Sequence, residues 1–87
     1  NDAMALGAIN ALKNNKMQIP DNMSIIGYDG TVDAQYSGLT SVKQPFAEMG
    51  ASAIFQLLSL IKNPYMLPKK VILPSSIVFR DSCKISL

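Results

Sequence analysis

The sequence predicts an α/β chain built around a doubly wound, mostly parallel sheet, and three observations carry that prediction. A helix-periodic segment at residues 2–15 passes through a turn into an apolar strand at 23–28 that stops in a polar loop. A second strand candidate at 39–43 leads directly into an amphipathic helix at 45–62. Two more short β-type segments lie between Pro68 and Arg80. A helix followed by a buried strand and a polar loop is half of a doubly wound unit, and in such open sheets ligands bind beyond the carboxyl ends of the strands.

Each element follows from local chemistry. Asn1 or Asp2 can cap the first helix, after which Met4, Ala5, Ala8, Ile9, Ala11 and Leu12 recur at spacings of three and four. Its many small residues allow close packing on a sheet, and Asn14-Asn15-Lys16 ends it, because asparagine tolerates the left-handed conformation that closes many helices. Pro20-Asp21-Asn22 is a turn. Met23 to Tyr28, β-branched in the middle, suits an interior parallel strand, and Asp29-Gly30-Thr31-Val32-Asp33 puts a carboxylate at its rim. Residues 34–38 show only a weak helical pattern, and Leu39 to Lys43 form the second strand.

Pro45 suits the first position of a helix, and Glu48 complements the dipole in its first turn. Gly50, Ile54, Leu57, Leu58 and Ile61 then make one apolar stripe, ended by Asn63-Pro64. Pro68 and Pro74 bracket Lys69 to Leu73, and Ile77 to Arg80 follow, giving two strand segments confined to an edge or a change of partner. The tail after Asp81 is expected to fray.

Composition narrows the function classes. With 87 residues, 48% hydrophobic and 16% charged, the chain is globular in character and makes one domain at most. A chain this short buries only about 60% of the surface its unfolded form exposes, so its core is expected to depend on something further. The net charge of +2 is dispersed, with no basic cluster to track a nucleic acid backbone. There is no histidine and one cysteine, Cys83, so neither a zinc cluster nor an internal disulfide is available, in keeping with a reducing cytoplasm. The apolar stretch from Met49 to Ile61 is too short for the roughly 20 residues a bilayer span needs. The opening Asn-Asp, with no initiator Met and no signal-type leader, reads as a start inside a longer protein.

Asp29 is the leading site candidate. An ionised carboxylate at the end of a buried strand can accept the paired hydrogen bonds that sugar hydroxyls or a purine N–H offer, each worth roughly 1.5–3 kcal/mol. The competing reading is a carboxylate that caps the following turn through Gly30 and Thr31. Tyr28 offers an aromatic face, although a tyrosine ending a strand more often packs with its hydroxyl at the rim. The five methionines fit packing. Catalysis finds no support: the chain has no nucleophile elbow, phosphate-cradling loop or Cys/His pair, and Asp29, Asp33 and Glu48 have no reason to face one another across a cleft.

Four blocks resemble one family in their order and spacing: Asn1-Asp2-Ala3-Met4-Ala5-Leu6-Gly7-Ala8 with Ala11-Leu12; Ile19-Pro20-Asp21-Asn22-Met23-Ser24-Ile25-Ile26-Gly27-Tyr28-Asp29; Leu39-Thr40-Ser41-Val42-Lys43-Gln44-Pro45 with Met49-Gly50 and Ala53; and Leu73-Pro74 with Val78-Phe79-Arg80-Asp81-Ser82. Together they resemble the C-terminal part of the effector-binding domain of lactose/galactose-repressor-type (LacI/GalR) transcription regulators. The sequence departs from the family at Lys16, where a glycine is frequent, and at Gly38, where a proline is frequent.

The resemblance implies a fragment of a two-lobed, periplasmic-binding-protein-like sensor. Residues of about 1–43 and 70–82 would belong to its C-terminal lobe, Lys43-Gln44-Pro45 would cross between lobes, and about 44–63 would supply an N-terminal-lobe helix. By the same resemblance Asp29 contacts the effector, and the Asn1 amide often does too, although Asn1 or Asp2 can equally serve only as a helix cap. Gln44, at the implied crossover, is expected to report lobe opening or to be simply a solvated residue before Pro45. The function implied is a repressor-type regulator with a sugar or nucleobase effector, operator DNA bound through a helix-turn-helix domain absent from this chain, a homodimer when intact, no membrane contact and no cofactor. The alternative is a periplasmic sugar-binding protein of a transporter. For the 87-residue chain itself, apolar surface exposed on the helix at 45–62 is expected to drive self-association.

Overall fold

A computed structural model describes residues 1–84. Its elements run α1 (Asp2–Asn14), β1 (Ile26–Asp29), α2 (Val32–Ser37), β2 (Thr40–Lys43), α3 (Phe46–Lys62) and β3 (Ser76–Val78). They form two compact units, one of Asn1–Gln44 with the chain from Ser75 onward, the other of Pro45–Pro74.

In the first unit, Asn1 caps α1, its Oδ1 accepting from the Met4 amide at 2.9 Å. The buried residues of α1 are Asp2, Ala5 and Ile9, a stripe at spacings of three and four that packs on β1 and α2. The helix closes differently from expectation. Asn15 stays at φ −97°, with its side-chain amide donating to the Ala11 carbonyl at 2.7 Å, and Lys16 takes the left-handed position at φ 60°. The Asn15 backbone and side-chain amides both donate to the Ala11 carbonyl, which holds Asn15 against the last turn, so the reversal moves one residue on. A cis peptide bond joins Ile19 to Pro20.

β1 is shorter and more exposed than the apolar run suggested. Met23 and Ser24 lie outside it, and the Ile25 amide donates to the Ser82 carbonyl at 3.0 Å, leaving a strand of four residues. Only Gly27 of this strand is buried, because β1 is an edge of the sheet formed by the described residues. The sheet has the order β1-β2-β3, with β1 and β2 parallel and β2 and β3 antiparallel, so it is mixed. The register pairs Gly27 with Ser41 and Asp29 with Lys43.

Between the parallel strands, α2 is set by its ends more than by its pattern. Thr31 Oγ1 accepts from the Ala34 amide at 3.2 Å, and Gly38 closes the helix at φ 70°. Proline, whose φ is locked near −65°, could not take that position. Ala34 and Leu39 are fully buried and join Ala5 and Ile9 in a small core, flanked by Leu6, Ile19 and Ile25.

Of the two segments expected after Pro68, only the second pairs, as β3. Residues 69–73 form no strand; Pro68 and Pro74 remove backbone donors at both ends. The chain after β3 is pinned. Arg80 N–H donates to Thr40 Oγ1 at 2.9 Å, Thr40 N–H to Ser82 Oγ at 2.8 Å, and Ser82 Oγ to the Ile25 carbonyl at 2.6 Å. Ser82 is buried by these bonds. The expected fraying therefore does not extend to Ser82, and what was expected of residues 85–87 falls outside the described residues.

In the second unit, Pro45 stands at the N-cap of α3, one residue before the first helical position, and its carbonyl accepts from the Met49 amide at 2.9 Å. No residue of α3 is buried within this chain, and Ile54, Leu57, Leu58 and Ile61 all expose more than half of their surface. The apolar stripe read in the sequence is real and lies open. No helix among the described residues is long and apolar enough to cross a membrane.

Candidate functional site

The polar groups of the first unit converge at the carboxyl ends of β1 and β2, the rim where open α/β sheets bind ligands. Asp29 is the last residue of β1, and its carbonyl accepts from the Gln44 amide at 3.3 Å, one step beyond the Asp29–Lys43 pair. Two of the three candidate residues therefore meet at one rim. The Asp29 backbone has φ 119°, a conformation that costs an L-residue roughly 1–3 kcal/mol and persists only where its surroundings over-determine it.

The turn after Asp29 is held by others. Gly30 N–H donates to Ser41 Oγ at 3.0 Å, and Thr31 N–H donates to Asp2 Oδ2 at 2.7 Å. None of the hydrogen bonds formed among the described residues uses the Asp29 carboxylate. Turn capping, the competing reading of Asp29, is thus done by Asp2 and Ser41. Asp29 is partly exposed and its carboxylate is free to accept from a ligand.

Asn1 is exposed and uses its Oδ1 as the α1 cap. Its amide nitrogen has no such duty. Gln44 is half-buried and contributes its backbone to the rim. Tyr28 alternates outward and is 46% exposed, so it does not end the strand in the core.

Asp2 is the residue that the sequence left undistinguished from Asn1. It is 1% exposed and accepts from the Thr31 amide and hydroxyl at 2.7 and 2.9 Å and from the Ser41 hydroxyl at 2.6 Å. Burial pushes its carboxyl pKa up, but the Ser41 hydroxyl, the Thr31 amide and hydroxyl and the Gly30 amide outweigh that and hold it below the ordinary value. A signal was present: Asp2, Ala5 and Ile9 fall on one helical stripe, and a carboxylate on an apolar stripe demands buried partners. Among the described residues, no group of three or more histidine, cysteine or acidic side chains is placed to hold a metal ion.

Comparison with known proteins agrees with this architecture. The periplasmic binding protein-like domain family matches residues 1–83. HTH-type transcriptional regulator MalR of Clostridium butyricum is 42% identical over 94% of this chain and 25% of its own length. HTH-type transcriptional repressor MelR of Bacillus subtilis is 36% identical over 94% of this chain and 24% of its own. The chain thus spans about a quarter of the length of the curated relatives it matches. Among solved structures, a LacI family transcriptional regulator from Enterococcus faecium with bound ribose superposes with a TM-score of 0.86 at 33% identity, covering 95% of this chain and 32% of that one. A lac repressor dimer bound to operator and the anti-inducer ONPF superposes with a TM-score of 0.83 at 34% identity, over 95% of this chain and 29% of that one. The chain belongs to the periplasmic binding protein-like domain family, in the form carried by LacI/GalR-type transcription regulators.

Proposed function

We propose that this chain is part of the effector-binding domain of a repressor-type, ligand-responsive transcription regulator, and that Asp29 anchors the effector. The observation that carries the reading is the Asp29 carboxylate, unengaged by its own turn and set at the strand-end rim on a strained backbone. An acceptor-only group in that position suits a polyhydroxyl sugar or a nucleobase N–H. The E. faecium neighbour is a regulator with ribose bound, which favours the sugar class. The free amide nitrogen of Asn1 is a second anchor, and Gln44, bonded through its backbone to Asp29, links the site to the segment leading into Pro45.

In this reading residues of about 1–43 and 70–82 belong to one lobe and about 44–63 to the other. An effector that favours one lobe arrangement shifts the operator affinity of the whole protein by its differential binding free energy. Operator contact belongs to a helix-turn-helix domain outside these residues, the intact regulator works as a cytoplasmic homodimer, and the chain has no catalytic role and no cofactor. Kinship with regulators named HTH-type favours this over a transporter's sugar-binding protein.

The test is calorimetric titration of the full-length regulator with D-ribose, then with other neutral sugars and with nucleobases, in wild-type and Asp29→Asn forms. The expected result is a tenfold or greater loss of affinity in the variant, equivalent to about 1.4 kcal/mol or more. Unchanged affinity would remove Asp29 from the site.

A further inference from the structure

We infer that Asp2 is a positioning residue, which through Thr31 and Ser41 holds Asp29 in its positive-φ conformation. The functional meaning of this role rests on Asp29 being the effector anchor; the structural claim does not. The arrangement is a set of bonds to the two peptide groups that follow one strained residue. On its C-terminal side, the Gly30 amide is held by Ser41 Oγ and the Thr31 amide by Asp2 Oδ2. Ser41 Oγ in turn donates to Asp2 Oδ1, so both successive amides lead back to the same carboxylate. At the other end of the Asp29–Gly30 peptide unit, the Asp29 carbonyl accepts from the Gln44 amide, one step beyond the last pair of the parallel ladder.

Thr31 extends the chain of bonds. Its hydroxyl donates to Asp2 while accepting from the Ala34 amide, so the same carboxylate also fixes the start of α2. Two glycines permit the close approaches, one to the Asp2 carboxylate and one to the neighbouring strand. Gly27 lies against the Asp2 carboxylate, where a Cβ would collide with it. Gly30 sits at φ 74°, where a Cβ would stand 2.9 Å from the Lys43 Cα. Removing side chains at both positions lets β1 and its turn approach the carboxylate and the neighbouring strand. No Lys or Arg bonds Asp2 among the described residues; its charge is met by the amide and hydroxyl of Thr31, the N-cap of α2, and by the Ser41 hydroxyl of β2, while Asp2 itself sits in the first turn of α1. A buried carboxylate satisfied in this way is specific to one geometry, since loss of any donor leaves a desolvated charge.

The experiment uses the full-length regulator with Asp2→Asn, nearly isosteric, and Ser41→Ala, which deletes the Gly30 arm together with the Ser41 bond to Asp2 Oδ1 and leaves the Thr31 arm in place. Two ligand-free readouts are taken by NMR: the three-bond HN–Hα coupling of Asp29, small at its present φ and large in an ordinary extended strand, and amide hydrogen exchange at Gly30 and Thr31. In Asp2→Asn the coupling is expected to rise toward the extended value, with exchange at Gly30 and Thr31 accelerated tenfold or more while Ile9 and Leu39 are unchanged. In Ser41→Ala the Gly30 amide is expected to accelerate more than that of Thr31. An Asp29 coupling that stays small in both variants overturns the proposal. So does acceleration spread equally over Ile9 and Leu39, which would make Asp2 a general stabiliser. If Asp2→Asn fails to fold, Ser41→Ala decides alone. Failure of the effector reading shows separately, in titrations where Asp29→Asn binds as well as wild type.

Discussion

The substitution Gly27→Ala brings a methyl group against the Asp2 carboxylate and 2.8 Å from Leu39 Cδ2, where both neighbours are buried. Forcing a carbon into such a space costs about 1–3 kcal/mol. If Asp2 yields, it also loses at least one charge-assisted bond, worth about 1.5–3 kcal/mol. Replacing a strand glycine recovers roughly 0.5–1 kcal/mol of backbone entropy. The net expectation is a loss of about 2–5 kcal/mol, large beside the ~5–15 kcal/mol by which a domain is stable. Urea unfolding of the full-length regulator reads this as a lower midpoint at unchanged slope. The same substitution in an Asp2→Ala background is expected to cost about 1 kcal/mol less or better, because the charged partner is gone and neighbouring changes do not add. A loss under about 0.5 kcal/mol in the wild-type background, the range of an ordinary surface change, would refute the claim that Gly27 exists to admit Asp2.

Gly38→Ala and Gly30→Ala form a graded pair. At Gly38 a Cβ would meet only the Asp81 Cβ, at an ordinary contact distance of 4.0 Å, but φ is 70°, so the expected loss is the left-handed penalty of about 1–2 kcal/mol. At Gly30 a similar φ is joined by collision with the Lys43 backbone, so its loss should be clearly the larger; equal values in parallel denaturation curves would contradict the geometry. The pH dependence of stability follows from Asp2. Its folded pKa lies below the ordinary value of 3.8, so its contribution is full above that value and is lost as pH falls through the lower folded value. Thermal melts across this acid range should therefore decline more steeply for wild type than for Asp2→Asn; coincident slopes would count against a charged, buried Asp2.

What could be read from the sequence divides along physical lines. α3 was legible because a long stripe at helical period needs no partner to be recognised, and its openness was legible because a chain this short has little to cover it with. The rim position of Asp29 was legible because an apolar run stops abruptly in a polar loop, and β2 because a short β-type segment stands directly before the Pro45 helix start. α2 was faint because six residues cannot show a stripe, and its stability sits in Thr31 and Gly38, at its ends. The ordering of Ser82 depends on Thr40, 42 residues away, and no local pattern announces a bond of that span.

Asn1-Asp2 shows the same division within two adjacent residues. As caps they are interchangeable by propensity, and only the tertiary fold decides which one turns outward to close the helix and which one turns in. Once Asp2 turns in, the two glycines, Thr31 and Ser41 stop being separate turn residues and become one connected set around a carboxylate. The strained φ of Asp29 then has a cause: the amides that follow it are held by Asp2 and Ser41 and its own carbonyl is held by Gln44, while its carboxylate takes no part in the hydrogen bonds of the described residues.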